Sequence, residues 1–357
     1  MNYVYEDRGK KAVAIWLMIG VGMIIVQVLL GGITRLTGSG LSITDWDVVT
    51  GTLPPLNEQQ WLTEFQKYRQ TPQFRLLNTD FTLSDFKFIF FWEWFHRVWA
   101  RLIGIVFVIG FIFLVARKYL RKEMINPLLI LFLLGALQGA VGWIMVASGL
   151  TGDAVYVKPT RLALHFILAL GLLCYTYWFA LRLLVPASER IVAPEVKRLT
   201  SFTLVILGIQ LIYGGLMAGH KAATVAPTWP TINGTWVPDN LWKDRPVLLN
   251  LIDNTITVHF IHRNLAYLVT ILIIILYAKI RRVQVSPMIK RWQRLPLILV
   301  VIQVMLGIFS ILTSPGIIPN HWGNFEWMAQ LHQLVAMFLL LSIVQLLYLF
   351  SGGRQQA

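Results

Sequence analysis

The stretch FIFFWEWFHRVWARLIGIVFVIGFIFLVA, residues 88–116, decides the fold of this chain. It is apolar all the way around a helix, and roughly 20 such residues are enough to cross the hydrocarbon core of a bilayer. Seven further runs have the same character, at residues 12–33, 127–147, 162–181, 199–219, 255–278, 295–313 and 327–350. The sequence therefore predicts eight transmembrane helices.

The composition of the whole chain agrees with this prediction. Of 357 residues, 56% are apolar and only 13% are charged, which is more apolar surface than a soluble domain can bury. The apolar runs are continuous rather than alternating, and this favours helices over a membrane β-barrel. We therefore predict an all-α polytopic membrane protein.

The basic residues are distributed unequally along the chain. The net charge is +14, which in a soluble chain would suggest a nucleic-acid partner. When eight helices are threaded, however, 18 basic residues fall on the side of the two termini and ten on the other side. By the positive-inside rule, both termini are expected in the cytoplasm, with the excess charge facing anionic lipid. The N-terminal segment MNYVYEDRGKK is neither a cleavable signal nor a presequence, so we expect a bacterial cytoplasmic (inner) membrane.

The chain contains an internal repeat. Residues of the first four predicted helices recur in the last four at offsets of 183, 166, 165 and 167 residues. The matched residues are Gln27 and Gln210, Gly31-Gly32 and Gly214-Gly215, Trp46 and Trp229, Gly51 and Gly234, His96-Arg97 and His262-Arg263, Gln138 and Gln303, Gly142 and Gly307, and His165 and His332. We predict two pseudo-symmetric four-helix bundles in the same orientation, a first half at residues 1–190 and a second half at residues 195–357. The falling offset predicts some 17 extra residues in an outer loop of the first half.

Four of the seven histidines lie inside predicted helices: His96, His165, His262 and His332. An ionisable residue inside a membrane span is costly and by default marks a function. With the termini inside, all four lie at a similar depth near the outer face, two in each half. Facing helices of a bundle build cofactor sites in this way, and imidazole is a common axial ligand of heme iron. We predict one heme between two histidines in each half. A zinc pair is the weaker alternative, and a buried histidine or proton relay is the alternative for any single one.

Four polar residues share one face of the second predicted helix: Glu93, His96, Arg97 and Arg101. A carboxylate one turn from a heme ligand can carry out proton chemistry or stabilise positive charge at the porphyrin edge. We predict this catalytic role for Glu93, with a plain ion pair to Arg97 as the alternative. The repeat places His259 at the equivalent position of the second half. One half is therefore expected to react and the other to hold a permanent cofactor, and His259 is an alternative ligand to His262.

Four arginines at the outer ends of helices are candidates for binding heme propionates: Arg35, Arg97, Arg161 and Arg263. Guanidinium groups suit carboxylate pairing, and anchoring at the membrane interface is the equal alternative. Cys174 is the only cysteine, which excludes disulfides within the chain, cysteine-ligated clusters and covalent c-type heme attachment. Any heme is therefore held without covalent bonds to cysteine.

These motifs together resemble the heme A synthase family of respiratory membranes. The resembling stretches lie in or beside seven of the eight predicted helices and are GGITRLTGSGLSITDW (31–46), FIFFWEWFHR (88–97), LGALQGAVGWIMVASGL (134–150), PTRLALH (159–165), GGLMAGHKAATVAPTWPTING (214–234), HFIHRNLAY (259–267) and QLHQ (330–333). The chain departs from the family pattern in two places. Some bacterial members carry a cysteine pair in the first outer loop, and this chain has no such pair. In Val258-His259-Phe260, His259 stands where the family pattern has a glutamine.

The resemblance implies an enzyme that converts heme O to heme A by oxidising a porphyrin methyl group to a formyl group, through successive hydroxylations and loss of water. His96 and His165 would then ligate heme O or heme A, and Glu93 would be the catalytic carboxylate. His262 and His332 would ligate heme b. The resemblance also implies a role in terminal oxidase assembly, with heme O synthase and an electron donor as candidate partners; an oligomer is left open.

Two other functions stay open at this point. A di-heme b-type cytochrome that passes electrons from quinol explains the four histidines, but not a carboxylate in one half only. An ion transporter with a histidine proton relay is a function of a different class and predicts no heme. A visible spectrum separates the transporter from the other two, and extraction of heme O and heme A beside heme B separates those two from each other.

Overall fold

The structure is a computed structural model that describes residues 2–45, 53–319 and 321–352, with the backbone alone for residues 2–7. Trp46 and Gly51, which the repeat pairs with Trp229 and Gly234, lie outside the described residues. The described helices are α1 (Asn2–Leu36), α2 (Glu58–Arg69), α3 (Pro72–Leu77), α4 (Leu83–Ala116), α5 (Lys122–Ala147), α6 (Pro159–Leu184), α7 (Pro194–Gly219), α8 (Thr255–Ile280), α9 (Pro287–Trp292), α10 (Leu295–Thr313) and α11 (Asn324–Leu349).

Eight of these helices are long and apolar enough to cross a membrane: α1, α4, α5, α6, α7, α8, α10 and α11. The described residues contain no β-strand beyond two isolated bridges. The prediction of an all-α membrane protein with eight spans is confirmed. The pseudo-symmetry of its halves and the side on which the termini lie stay predictions.

Most spans begin earlier than the apolar runs do. Helix α4 begins at Leu83 rather than at residue 88, because the Thr82 side chain accepts from the Asp85 backbone N–H while the Asp85 carboxylate accepts from Thr82. Helices α6 and α7 begin at Pro159 and Pro194, where a first-turn proline lacks only an N–H that has no partner inside the helix. A polar cap or a first-turn proline therefore starts a helix before its apolar run begins, and hydropathy does not register either of them.

The described residues of the predicted outer loop of the first half include two helices. It contains α2 and α3, and eight aromatic side chains cluster between them and the start of α4: Trp61, Phe65, Tyr68, Phe74, Phe81, Phe86, Phe90 and Trp94. Tyr68 is fully buried, its hydroxyl donates to Gln73, and burial raises the pKa of Tyr68 to about 12. Gln73 in turn donates to the carbonyl of Gly38, just after α1, at 3.2 Å. The extra residues therefore form a compact cap beside α4.

The spans of each half pack around one another in the same order. In the first half α1 packs on α4 and α6, and α5 on α6; in the second half α7 packs on α8 and α11, and α10 on α11. The halves meet where α6 packs on α7 and where α11 packs on α1 and α6. The largest buried apolar cluster fills this meeting region, and α11 is the most buried span. We call the end at which residues 37–82, 148–158, 220–254 and 314–323 connect the helices the loop end.

Helices α6 and α7 approach each other at a glycine. A Cβ added to Gly215 would lie 2.9 Å from the Cα of Ala163, closer than ordinary side-chain contacts. A Cβ on Gly219 would likewise lie 2.7 Å from the Cα of Pro159. This interface between the halves is apolar and packs backbone against backbone.

The interface between α1 and α11 is polar instead. Gly32 of α1 lies against the amide groups of Gln330 and Gln333 on α11. These amides donate to the α1 backbone carbonyls of Leu29 at 3.1 Å and Val28 at 2.7 Å. Under the predicted repeat, the two glutamines stand where α6 has Ala163 and Phe166, so the two interfaces differ in chemistry at matched positions.

Candidate functional site

The four predicted histidines all line one cavity of ≈ 1380 Å³ that reaches through both halves toward the loop end. His262 and His332 face each other across the second half with ring centroids 6.4 Å apart and planes at 69°. His96 and His165 line the cavity in the first half and lie within electrostatic range of each other. The structure therefore brings the predicted histidines together in the predicted pairs.

The spacing of the second pair suits one shared metal. Two imidazoles that each bind a metal at about 2 Å have ring centres roughly 6 Å apart, close to the 6.4 Å between His262 and His332. The Nδ1 atoms of His96 and His262 are buried without a hydrogen-bond partner in the described structure. Among the described residues no three His, Cys, Asp or Glu side chains converge on a point that could hold a metal ion. The donor set fits a heme with two axial imidazoles better than a zinc site, which takes at least three protein ligands.

Each histidine contacts a glutamine amide on the preceding span. The nearest distances from the glutamine Nε2 atom to an imidazole nitrogen are 3.0 Å for Gln27 and His96, 3.2 Å for Gln138 and His165, 3.5 Å for Gln210 and His262, and 3.2 Å for Gln303 and His332. The His332 Nδ1 atom also lies 3.0 Å from the Gln303 carbonyl oxygen. Contacts of this kind fix the tautomer and the orientation of a ligating ring.

A glycine follows each of these glutamines by four residues and lies against the same imidazole. A Cβ added to each glycine would lie close to the Cε1 atom of its histidine. The distance is 3.0 Å for Gly31, 2.8 Å for Gly142, 3.5 Å for Gly214 and 3.0 Å for Gly307. In the pattern QxxxG, the glutamine therefore provides a polar contact to the imidazole, and the glycine leaves room for the ring to pack against the helix backbone. The contacts of these glutamines and glycines with the histidines were not predicted from the sequence, although their shared four-residue spacing is visible there.

Glu93 is buried beside the first histidine pair and is held by four donors. Its Oε2 atom accepts from the Ser42 backbone N–H and hydroxyl, each at 2.7 Å, and from the Ile43 N–H at 2.9 Å. Its Oε1 atom accepts from Arg97 at 2.6 Å. The ion pair that was the alternative interpretation is therefore present. It is one part of a larger clamp that joins α4 to the segment after α1, and Glu93 still lines the cavity.

The equivalent position of the second half has a different partner set. His259 is fully buried, and its Nε2 atom accepts from the Nε atom of Arg263 at 3.0 Å. His259 does not line the cavity, whereas His262 does. Between these two candidates, only His262 faces His332.

Two of the four predicted arginines bind the backbone of segments at the loop end. Arg97 donates to the carbonyls of Ile43 at 3.2 Å and Asp45 at 3.5 Å. Arg263 donates to the carbonyls of Ala226, Thr228, Pro230 and Thr231, which together with His259 engage all three guanidinium nitrogens. Under the predicted repeat, Ala226 and Thr228 are the counterparts of Ile43 and Asp45. Arg97 after His96 and Arg263 after His262 therefore make matching contacts to the loop backbone in the two halves.

The other two arginines differ from each other. Arg161 donates to the carbonyl of Ile144 at 3.0 Å and does not line the cavity. Arg35 lines the cavity where α1 meets α11, within electrostatic range of Glu326, and its guanidinium makes no hydrogen bond to the described residues. Of the four arginines, Arg35 is the one that lines the cavity without a hydrogen bond from its guanidinium to the described residues.

The chain resembles known proteins along almost its whole length. The family model for the cytochrome oxidase assembly protein family, COX15-CtaA, matches residues 14–344. The chain belongs to this family. The family resemblance predicted from the sequence is confirmed.

Relatives in the COX15-CtaA family carry a consistent name. A heme A synthase of Flavobacterium psychrophilum is 39% identical over 348 residues, which are 96% of this chain and 99% of the relative. Heme A synthases of Rhodopseudomonas palustris and Paracoccus denitrificans are 48% identical over 270 residues and 38% identical over 315 residues. They cover 75% and 86% of this chain and 74% and 82% of their own lengths. No solved structure shows a significant match to the chain. Membership in COX15-CtaA gives no support to the alternative of a di-heme electron-transfer cytochrome.

Proposed function

We propose that this chain is a heme A synthase, which oxidises the porphyrin methyl group at position 8 of heme O to a formyl group and so supplies heme A for terminal oxidase assembly. Family membership and the heme A synthases among the relatives support this function. The observation that carries the proposal is the carboxylate of Glu93, which lies at one histidine pair while the other pair has His259 in its place.

We assign the two sites to the two halves. The first half, residues 1–190, would hold heme O or its product heme A between His96 and His165. The second half, residues 195–357, would hold heme b between His262 and His332. The 6.4 Å spacing of the second pair supports a shared iron there. A heme b in that position would supply a centre for single-electron transfer during the oxidation.

The surroundings of Glu93 suggest how it acts. All four of its contacts are donors, so the carboxylate serves as an acceptor, and its position is fixed from both oxygens. A base that takes up a proton would have to give up part of this clamp. We therefore favour a fixed negative charge that stabilises positive charge developing at the methyl carbon, because a preorganised charge in a low-dielectric site needs no rearrangement when the reaction occurs.

The remaining residues bind and cover the hemes. The four glutamines orient the ligand imidazoles, and Arg97 and Arg263 hold the outer loops. Arg35 is the arginine we assign to a heme propionate, because it faces the cavity with its hydrogen bonds unused among the described residues. Arg161 and the two loop-holding arginines are weaker candidates for that role.

The charge distribution supports a place in the bacterial cytoplasmic membrane. With 18 basic residues on the side of the termini, both termini would be cytoplasmic and the two heme sites would lie near the outer face. Heme O would reach the enzyme from heme O synthase, and an electron donor or acceptor would complete the reaction. Direct docking of either partner is not part of this proposal.

The experiment that tests the proposed function is expression of the chain together with a heme O synthase, followed by chromatography of the extracted hemes. Heme A should appear beside heme B only when the chain is present. A purified protein with a Soret band and a low-spin α-band, but with heme B as its sole pigment, would favour the di-heme cytochrome. A protein without a Soret band would favour the transporter.

A further inference from the structure

The two halves close their bundles differently. In the second half α8 packs along α10, so the four spans form a closed ring. The equivalent helices of the first half, α4 and α5, do not pack along each other in the part of the chain that the structure describes. The first half therefore has a seam between α4 and α5 that faces the bilayer.

Among the described residues, α4 and α5 contact each other at the end opposite the loops. Phe107 of α4 and Phe132 of α5 stack with ring centroids 6.3 Å apart. Beyond this stack, Leu114 of α4 and Leu128 of α5 belong to one buried cluster. The open part lies on the loop side of the two rings. From Phe132 to Gly142, the glycine beneath His165, the helical rise gives a length of about 15 Å.

Three glycines line the cavity along the open part of the seam: Gly104, Gly135 and Gly139. A Cβ added at any of them would meet no atom within 4 Å, so the space beside them is empty rather than filled by a neighbouring helix. Under the predicted repeat, the counterparts in the second half carry side chains and are Thr270, Val300 and Val304. Val300 is 2% exposed and belongs to the largest buried cluster. The first half lacks the side chains that help to fill this seam in the second half.

The open seam leads to the site that we assign to the substrate. The same cavity that contains Gly135 and Gly139 also contains His96, His165 and Glu93. Between Phe132 and Gly142, the one polar side chain of α5 is Gln138, whose amide is engaged by His165. A ligand lying in the seam would therefore meet apolar groups on this side and a heme site at its inner end.

We propose that the seam between α4 and α5 is a lateral slot that binds the isoprenoid side chain of the substrate heme and admits it from the bilayer. This inference rests on the proposed function, because it takes the first half as the substrate site. Heme O carries a long isoprenoid chain that needs no hydrogen bonds and dissolves in lipid, which suits an apolar opening. Heme b lacks such a chain, and the half assigned to it is closed.

The test fills the slot with the side chains of the second half. The double variant Gly135→Val/Gly139→Val is compared with Gly22→Val/Gly171→Val, which adds the same groups at two glycines with open space that do not line the cavity. Each protein is expressed with a heme O synthase, and bound heme O, heme A and heme B are measured per protein. We expect the slot variant to lose heme O and heme A by roughly tenfold or more, because several methylene groups can no longer be buried. Its second-half heme B should stay at the level of the control, which also reports that the variant folds.

A substrate without the chain separates loss of the slot from general damage to the first half. Added heme B, which lacks the isoprenoid group, should still bind to the first half of the slot variant. Phe132→Ala, which removes one ring of the closed end, should raise the conversion of a heme O analogue with one extra isoprene unit relative to heme O. Two results would overturn the proposed slot. One is normal heme A output from Gly135→Val/Gly139→Val, and the other is an equal loss of heme O and of added heme B from the first half of that variant. Absence of heme A from the wild-type chain would instead overturn the proposed function.

Discussion

The two halves place their ligand histidines in the same way but surround them differently. In both halves a glutamine amide and a glycine on the preceding span contact the imidazole, and the arginine after one histidine binds backbone carbonyls at the loop end. In the first half a buried carboxylate joins this frame and the bundle is open between two spans. In the second half a histidine takes the place of the carboxylate and the bundle is closed. Under the proposed function, the same frame holds a permanent ligand in the second half and a ligand that is exchanged and transformed in the first.

The carboxylate should produce the largest difference between the halves. Replacing Glu93 with Gln removes the negative charge while keeping the size of the side chain, and we expect heme A formation to fall by roughly 100-fold or more. Heme O or its hydroxylated product should accumulate, and heme b should be retained. Chromatography of extracted hemes measures all of these. Glu64→Gln, on α2 away from the cavity, is the matched control, and normal heme A output from Glu93→Gln would remove the catalytic role from this residue.

Removal of a ligand should affect one half at a time. His332→Ala should deplete heme b from the purified protein, because a single imidazole remains on that side. His165→Ala should deplete heme O and heme A and leave heme b in place. The visible spectrum and the extracted pigments report each loss. If the two variants exchanged their effects, the halves would have been assigned the wrong way round.

The glutamine contacts should have equal effects in the two halves. Gln303→Leu removes the amide next to His332, and loss of such a supporting contact weakens metal-site affinity by roughly 10- to 100-fold. We expect heme b to be lost on washing in detergent and its low-spin electron paramagnetic resonance signal to broaden. Gln138→Leu should do the same to the heme of the first half. Gln345→Leu, a buried glutamine of α11 that contacts Tyr177 and does not line the cavity, should leave both hemes bound. If the spectra of Gln303→Leu were unchanged, the Gln303 amide would contribute packing but no support to heme binding.

The interfaces between the halves should give the smallest effect. Gly215→Ala would press a methyl group against the backbone of α6, and overpacking of this kind costs about 1–3 kcal/mol. Gly32→Ala meets side-chain amides that can turn aside, so its cost should be smaller. Thermal unfolding in detergent, with Gly171→Ala as the control in open space, measures the difference. A larger loss for Gly32→Ala would mean that the bonds from Gln330 and Gln333 to α1 are the more rigid interface.

The eight spans could be predicted because their apolar runs exceed the length that any buried soluble helix needs. Their starts could not, because Thr82 and Asp85 stabilise the first turn of α4 through local hydrogen bonds that hydropathy does not register. The short helices α2 and α3 were predicted only as an outer loop. They owe their place to an aromatic cluster whose members are far apart in sequence, such as Trp61 and Phe90, with ring centroids 5.0 Å apart.

The candidate site was partly visible in the sequence. The histidine pairs followed from the repeat and the helix order, since the second and fourth spans of each half cross in the same direction and carry their histidines at similar depths. The clamp on Glu93 could not be foreseen, because its donors come from Ser42 and Ile43 in a segment without regular structure. The open seam could not be foreseen either. A glycine in a span is equally consistent with close helix packing and with empty space, and only the placement of α4 relative to α5 distinguishes the two.

Every ligand histidine is steadied by a glutamine of its own helical hairpin rather than by one from elsewhere in the bundle. A hairpin that leaves the insertion machinery during synthesis therefore already carries its imidazole in a defined pose. Because the two histidines of each pair come from different hairpins, we expect a porphyrin to bind only after those hairpins have associated.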